Sequence, residues 1–202
     1  MFLAETLDRL IADQLQALLP CATIGRQIIV LDQIGSTNDA ILQAATANSN
    51  EGLVLFAEQQ TAARGQRGNR WESPAGKGLW FSILLRPKIL INDSGRLTIW
   101  AIETISQVIR TEFSLEPAIK LPNDIQLYGR KVAGVLVEMR AQEKAPHVAV
   151  VGIGINVNQS LEDFPQELQS RAISLAMALH RPVNRQAFAV TVLRNLDRKS
   201  VV

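Results

Sequence analysis

Residues 120–138 read KLPNDIQLYGRKVAGVLVE, and two apolar runs in that stretch meet at one tight turn. Ile125 to Tyr128 and Lys131 to Met139 are strand-like, and the Tyr128-Gly129 pair is short enough to reverse the chain between them. Strands joined by a hairpin pair antiparallel, whereas parallel neighbours need a crossover of about a dozen residues or more. Working outward, Ala118 to Leu121 precedes the hairpin as another short strand, and His147 to Ile153 follows it. The stretch therefore predicts a largely antiparallel sheet.

Further out, Thr98 to Phe113 carries the strongest helical pattern in the chain. Upstream, Ile28 to Leu31, Leu53 to Ala57 and Leu79 to Leu85 read as strands, with Pro87 ending the last. Leu7, Leu10, Ile11, Leu15 and Leu18 recur at helical spacing within residues 4–19, and Pro20 follows. Gly35 breaks the chain before a helix over Asp39 to Ala47, for which Ser36 to Asn38 are capping candidates. Two helices close the chain, near 166–180 and 185–198, the second capped by Asn184. With no repeat, low-complexity tract or linker, residues 1–202 read as one α+β domain: an N-terminal helical segment (1–27) and a core (28–202).

Hydrophobic residues make up 47% of the 202 and charged residues 20%, the balance of a soluble globular protein. The net charge of +2 gives no reason to expect DNA binding. No apolar run reaches the roughly 18 residues of a membrane span, and the N-terminus lacks the basic start of a signal peptide. The single cysteine, Cys21, cannot form an internal bridge, so a reducing compartment, the cytoplasm, is expected. No Cys/His cluster suggests a dedicated metal site.

Four segments carry candidate chemistry. The loop EQQTAARGQRGNRWESPAGKG (58–78) places Arg64, Arg67 and Arg70 at three-residue intervals beside Gly65 and Gly68. Arginine forks suit carboxylate and phosphate oxygens, and Trp71 offers a flat face for a purine. Taken alone, such a loop is equally a solvated basic surface. It is no Walker-type cradle, because G-x-x-x-x-G-K-[ST] is missing, and no G-x-G-x-x-G follows a strand. In the opening stretch, Lys120, Asn123 and Asp124 surround Pro122, and Lys131 starts a strand three residues before Gly134. There Asp124 either helps position magnesium or pairs with Lys120. Residues 151–158 (VGIGINVN) put Gly152 and Gly154 inside an apolar strand, which marks a close approach or a bulge, with Asn156 beyond them. Residues 35–39 (GSTND) offer hydroxyls and an amide at a helix start.

The order and spacing of these segments resemble the biotin–protein ligases, a family related in fold to lipoate ligases and class II aminoacyl-tRNA synthetases. Its S-T-N, Q…G-R-G-R-x-G-R-x-W, K-W-P-N-D, R-K-x-x-G-I-L-x-E and G-x-G-I-N motifs appear here in that order, as Ser36-Thr37-Asn38, Gln60…Arg64-Gly65-Gln66-Arg67-Gly68-Asn69-Arg70-Trp71, Lys120-Leu121-Pro122-Asn123-Asp124, Arg130-Lys131…Gly134…Glu138 and Gly152…Asn156. The resemblance implies a class II synthetase-like α+β fold that activates biotin with ATP and passes it to a lysine of a biotin carboxyl-carrier protein. It implies that Ser36, Thr37, Asn38 and Gln60, with Gly65, Gln66 and Gly134, hold biotin. Arg64 and Lys131 would meet the carboxylate and the α-phosphate as the catalytic pair. Arg67, Trp71, Lys120, Asn123, Asp124 and Asn156 would arrange ATP, with Mg²⁺ arriving as part of that co-substrate and no tightly bound cofactor.

Three loop positions depart from the pattern: Ala63 for its first glycine, and Gln66 and Asn69 for two arginines. Leu121 also replaces a tryptophan. The lost loop charges lead us to expect weaker retention of the adenylate unless Arg70 substitutes. The sequence shows no N-terminal helix-turn-helix and stops where relatives carry a small β-barrel, so repressor activity is not expected. Biotin, ATP and the carrier are the expected partners, with neither DNA nor membrane, and a homodimer is left open. A lipoate ligase of the same fold and a silent biotin binder are the alternative readings.

Overall fold

The computed structural model describes residues 8–19, 23–45, 51–142 and 146–198. Seven strands form one sheet: β1 (Gln27–Ile34), β2 (Leu53–Gln60), β3 (Gly78–Leu85), β4 (Ala118–Lys120), β5 (Asp124–Leu127), β6 (Arg130–Arg140) and β7 (Val148–Asn156). Their order across the sheet is β1-β2-β3-β7-β6-β5-β4. The expected hairpin is present as β5–β6, and every neighbouring pair is antiparallel except β1–β2. That pair is parallel because α2 (Thr37–Ala44) supplies the crossover between its strands.

Every residue of β3 is buried, which requires cover on both faces of the sheet. Leu79, Phe81, Ile83 and Leu85 point into the larger core. There α3 (Gly95–Phe113) contributes Leu97, Ala101, Ile105, Val108 and Ile109, one stripe of its surface. The C-terminal helix α5 (Arg185–Arg198) adds Phe188, Val192, Leu193 and Leu196 beside it. On the opposite face α2 presses Ile41 against Leu55, Leu84, Val148 and Val150. Fully burying each such side chain is worth about 1.5–3 kcal/mol. Among the described residues, no helix is long and apolar enough to cross a membrane.

The ends of several elements differ from the sequence reading. Within 4–19 the helix is α1, Ala12–Ala17, while residues 1–7 and 20–22 lie outside the described set. The helix expected at Asp39 starts two residues earlier, with the Ser36 hydroxyl accepting from the Asp39 amide at 3.4 Å. Its last expected residues fall in the undescribed stretch 46–50. The helix expected over 166–180 shrinks to α4, Leu175–Leu179. Lys131 N–H donates to the Arg171 carbonyl at 2.7 Å, and Ile173 N–H to the Lys131 carbonyl at 3.0 Å. Pairing with the start of β6 draws that segment out of the helix, a tertiary override of local propensity. Asn184 caps α5 as expected, its side chain accepting from the Ala187 amide at 2.8 Å.

Candidate active site

The site begins as an absence of side chains in the sheet face that carries α2. Cross-strand register sets Gly154 between Trp80 of β3 and Gly134 of β6, and Gly152 between Ser82 and Leu136. A Cβ at Gly154 would stand 2.5 Å from the Trp71 indole, and one at Gly134 3.0 Å from it. A Cβ at Gly152 would stand 2.2 Å from Asn38 Oδ1. Trp71 therefore lies on one glycine row and Asn38 on the next. Trp80 braces Trp71 edge-on, with ring centroids 6.1 Å apart.

Lys131 reaches this face through a register shift. Ile125 pairs with Ala133 but Gln126 pairs with Lys131, so Val132 is an extra residue in β6. Such a bulge re-aims the side chains that precede it. With Val132 and Ala133 both in the core, the Lys131 amine lies 3.1 Å from where a Gly134 Cβ would sit. The ammonium pairs with Asp124 Oδ1 at 2.6 Å and stands 4.9 Å from the Trp71 ring centre. Asp124 thus joins Lys131 rather than Lys120.

At the other end, buried polar groups meet at the start of α2. Gln60 Oε1 accepts from the Thr37 amide at 2.9 Å and from its hydroxyl at 3.1 Å, and Gln60 Nε2 donates to Ser73. The Ser82 hydroxyl contacts Thr37 Oγ1 at 2.7 Å and donates to Asn38 Oδ1 at 2.5 Å. Asn38 Nδ2 then donates to Glu138 Oε2 at 2.7 Å. Ser36, Thr37 and Asn38 are all buried, so these groups are held in fixed directions.

The basic loop folds back on itself, with Arg64 and Arg70 bridged antiparallel and a short turn at Gln66–Gly68. Arg67 takes a positive φ of 58° at the tip. The fold-back turns Arg64 and Trp71 inward. Arg64 grips Asp39 through two bonds of 2.6 and 2.7 Å and reaches Glu138 at 3.1 Å. Donating hydrogen bonds to the Asp39 carboxylate raises the guanidinium pKa above its ordinary value, so it stays cationic.

Two hollows adjoin at Trp71 and Lys131. The first, about 460 Å³ with its mouth, collects Ser36, Thr37, Asn38, Gln60, Arg64, Gly65, Asn123 and Gly134. The second carries Lys120, Asp124, Asn156, Arg70 and Arg171. Arg67 and Gln66 line neither, because the loop tip turns outward. The Asn123 amide donates to the Val135 carbonyl at 2.9 Å, and Asn156 Nδ2 donates to the carbonyls of Lys131 and Ile173. The Trp71 indole N–H is buried and has no hydrogen-bond partner among the described residues. Sequence reasoning missed Asp39, Ser82 and a role for Glu138. The Glu138 position at the end of a β6 motif was the available signal, whereas nothing local marks Ser82.

The pattern of the biotin/lipoate A/B protein ligase family matches residues 30–156, from β1 through the last residue of β7. The chain belongs to this family. Within it, the chain is 36% identical over 181 residues to the Bacillus spizizenii bifunctional ligase/repressor BirA, covering 90% of this chain and 56% of that protein. It is 32% identical to the biotin–[acetyl-CoA-carboxylase] ligase of Mycobacterium tuberculosis, covering 87% of this chain and 65% of that one. The biotin protein ligase of Aquifex aeolicus, solved with biotin and ATP, superposes with a TM-score of 0.72 at 31% identity, over 85% of this chain and 69% of that one. The chain thus spans little more than half the length of the BirA relative. As a family member it has the class II synthetase-like α+β fold expected from its motifs.

Proposed function

We propose that this chain activates biotin with ATP and passes it to a lysine of a biotin carrier protein such as that of acetyl-CoA carboxylase. The observation that carries the reading is a pair of adjoining hollows that share Trp71 and Lys131. Fixed donors and acceptors stand at one end with Arg64 at their mouth, Lys131 and Trp71 stand at the junction, and a cation-lined hollow lies beyond. Thr37, Asn38 and Gln60, beside Ser36, would hold the ureido end of biotin, which needs an acceptor and donors around it. The glycines of β6 and β7 let Trp71 and Asn38 settle onto the sheet, and the hollow they line with Gly65 would take the biotin ring.

A biotin carboxylate oxygen then attacks the α-phosphorus of ATP as the bond to pyrophosphate breaks. Arg64 and Lys131 stabilise the negative charge that gathers there. Asp124, paired with Lys131, would be the carboxylate to hold magnesium carried by ATP, which would offset phosphate charge there. Trp71, with its unused indole donor, and Lys120 serve the nucleotide. Asn123 and Asn156 act through the backbones of Val135 and Lys131. In the second half-reaction the carrier amine attacks the carbonyl carbon, AMP leaves with the bonding electrons, and the amine loses a proton. No covalent enzyme intermediate is needed, so catalysis rests on orientation and charge.

The test is biotin-dependent exchange of labelled pyrophosphate into ATP with magnesium. Exchange with biotin and none with lipoate is expected; biotin binding without exchange overturns the enzyme reading. With Gln66 and Asn69 in place of two arginines, adenylate retention is expected to be short. Quenched-flow measurement of adenylate release, compared with a Gln66→Arg/Asn69→Arg variant, checks this.

A further inference from the structure

Arg185 opens α5, is 1% exposed, and lies outside both hollows. Its Nη1 donates to Glu58 Oε2 at 2.8 Å and to the Gly78 carbonyl at 3.1 Å. Those two residues lie at the two ends of the 58–78 loop, the first in β2 and the second opening β3. The rest of the fork is bound as well. Nε donates to Asp8 Oδ2 at 3.0 Å, Nη2 donates to the Asp8 carbonyl, and the Arg185 amide donates to Asp8 Oδ1 at 3.1 Å. Glu58 Oε1 accepts from the Leu10 amide at 2.9 Å, so both its oxygens are bound.

We infer that Arg185 and Glu58 form a neck clamp that positions the basic loop. A second set of bonds supports the same neck. The Gly76 amide donates to the Glu58 carbonyl at 3.2 Å, and the Trp80 indole donates to Pro74 at 3.2 Å. Gly78 admits no side chain, because a Cβ there would stand 2.2 Å from Trp80. Nη1 alone spans the neck, while the other two nitrogens of the planar fork tie that contact to Asp8; a lysine, a single charged point, cannot hold the neck and Asp8 in the same geometry. Buried ion pairs are weak stabilisers compared with apolar packing of equal volume. The gain from this one is geometric: the neck sets where the loop delivers Arg64 and Trp71. Gln60 lies two residues past Glu58 on the same strand, so the Thr37 contacts inherit that anchoring too.

The inference rests on the reading of residues 58–78 as the loop that serves adenylation. Arg185 and Glu58 touch no substrate in it and are positioning residues. Arg185→Lys keeps the charge and removes the fork; Glu58→Gln keeps the shape and removes one charge. Amide hydrogen exchange of both full-chain variants, alongside their adenylation rates, decides the matter. Amides of residues 62–77 are expected to exchange on the order of tenfold faster, with β3 and β7 as protected as in wild type. Adenylation is expected to slow by a similar factor. Unchanged loop exchange overturns the clamp, and so does an equal loss of protection across loop and sheet. If Arg185→Lys does not fold, Glu58→Gln carries the same comparison. A wild-type chain without pyrophosphate exchange would defeat the functional reading, while the loop's hydrogen exchange would still judge the clamp.

Discussion

Arg64 and Arg185 each hold two carboxylates, yet the Arg64 side chain is 43% exposed and that of Arg185 2%. Arg64 faces Asp39 and Glu138 at the mouth of the cleft; Arg185 faces Asp8 and Glu58 beneath it. An exposed pair is worth about 0–1 kcal/mol, so a ligand carboxylate can replace one partner at little cost. A buried pair, once made, costs about 3–5 kcal/mol to break by removing one member. The same three groups thus serve as an exchangeable grip in water and as scaffold out of it. Solvent, not residue type, separates the roles.

The largest effect expected from this comparison is on stability. Arg185→Met leaves Glu58 and Asp8 without their cation and should cost about 3–5 kcal/mol in urea denaturation. A loss under about 1 kcal/mol would erase the distinction between the clusters. Next, Arg64→Ala should slow single-turnover adenylation by roughly 10²–10³-fold. Its melting midpoint should stay within a few degrees of wild type, as for other exposed pairs. A large drop would make Arg64 scaffold as well.

Gly152→Ala sharpens the contrast from the sheet side. Its new methyl would displace Asn38, the neighbour that shares Glu138 with Arg64. Overpacking of this kind costs about 1–3 kcal/mol, so biotin affinity by calorimetry should fall roughly tenfold or more. The smallest effect concerns a pair of intermediate exposure, Lys77 with Asp163 at 3.1 Å. Burial pushes the Asp163 carboxyl up, but the Ser160 amide and Lys77 outweigh it and hold the pKa below its ordinary 3.8. A lowered carboxylate stabilises the fold above that ordinary value and ceases to do so as pH falls through the folded one. Asp163→Asn should therefore cost less than about 1 kcal/mol at neutral pH. Thermal melts should show the gap to wild type closing as pH falls below 3.8.

Much of the fold was legible before the structure. The Tyr128-Gly129 hairpin, the α3 stripe and the Asn184 cap are local patterns with a period or a turn chemistry of their own. Four motif segments marked the site, and the structure brings Ser36 to Asn38, Gln60, Arg64, Trp71, Lys131 and Gly134 around one cleft. The helix expected over 166–180 failed because backbone pairing of Arg171 and Ile173 with Lys131 outcompetes a local preference. Arg67 and Gln66 share the loop's motif but not its geometry, since a positive-φ tip sends them away from the cleft.

What the sequence by itself determined is which residues form hairpins and helices, and which chemical groups the chain carries. Alternation along β6 would put Lys131 and Gly134 on opposite faces; the extra residue Val132 brings them to one. Arg185 finds Glu58 across 127 residues of chain. Strand register and contacts between distant segments form only when the whole sheet and its helices bury their faces together. A bulge's phase and a buried ion pair therefore leave no periodic trace, and only the tertiary structure decided them.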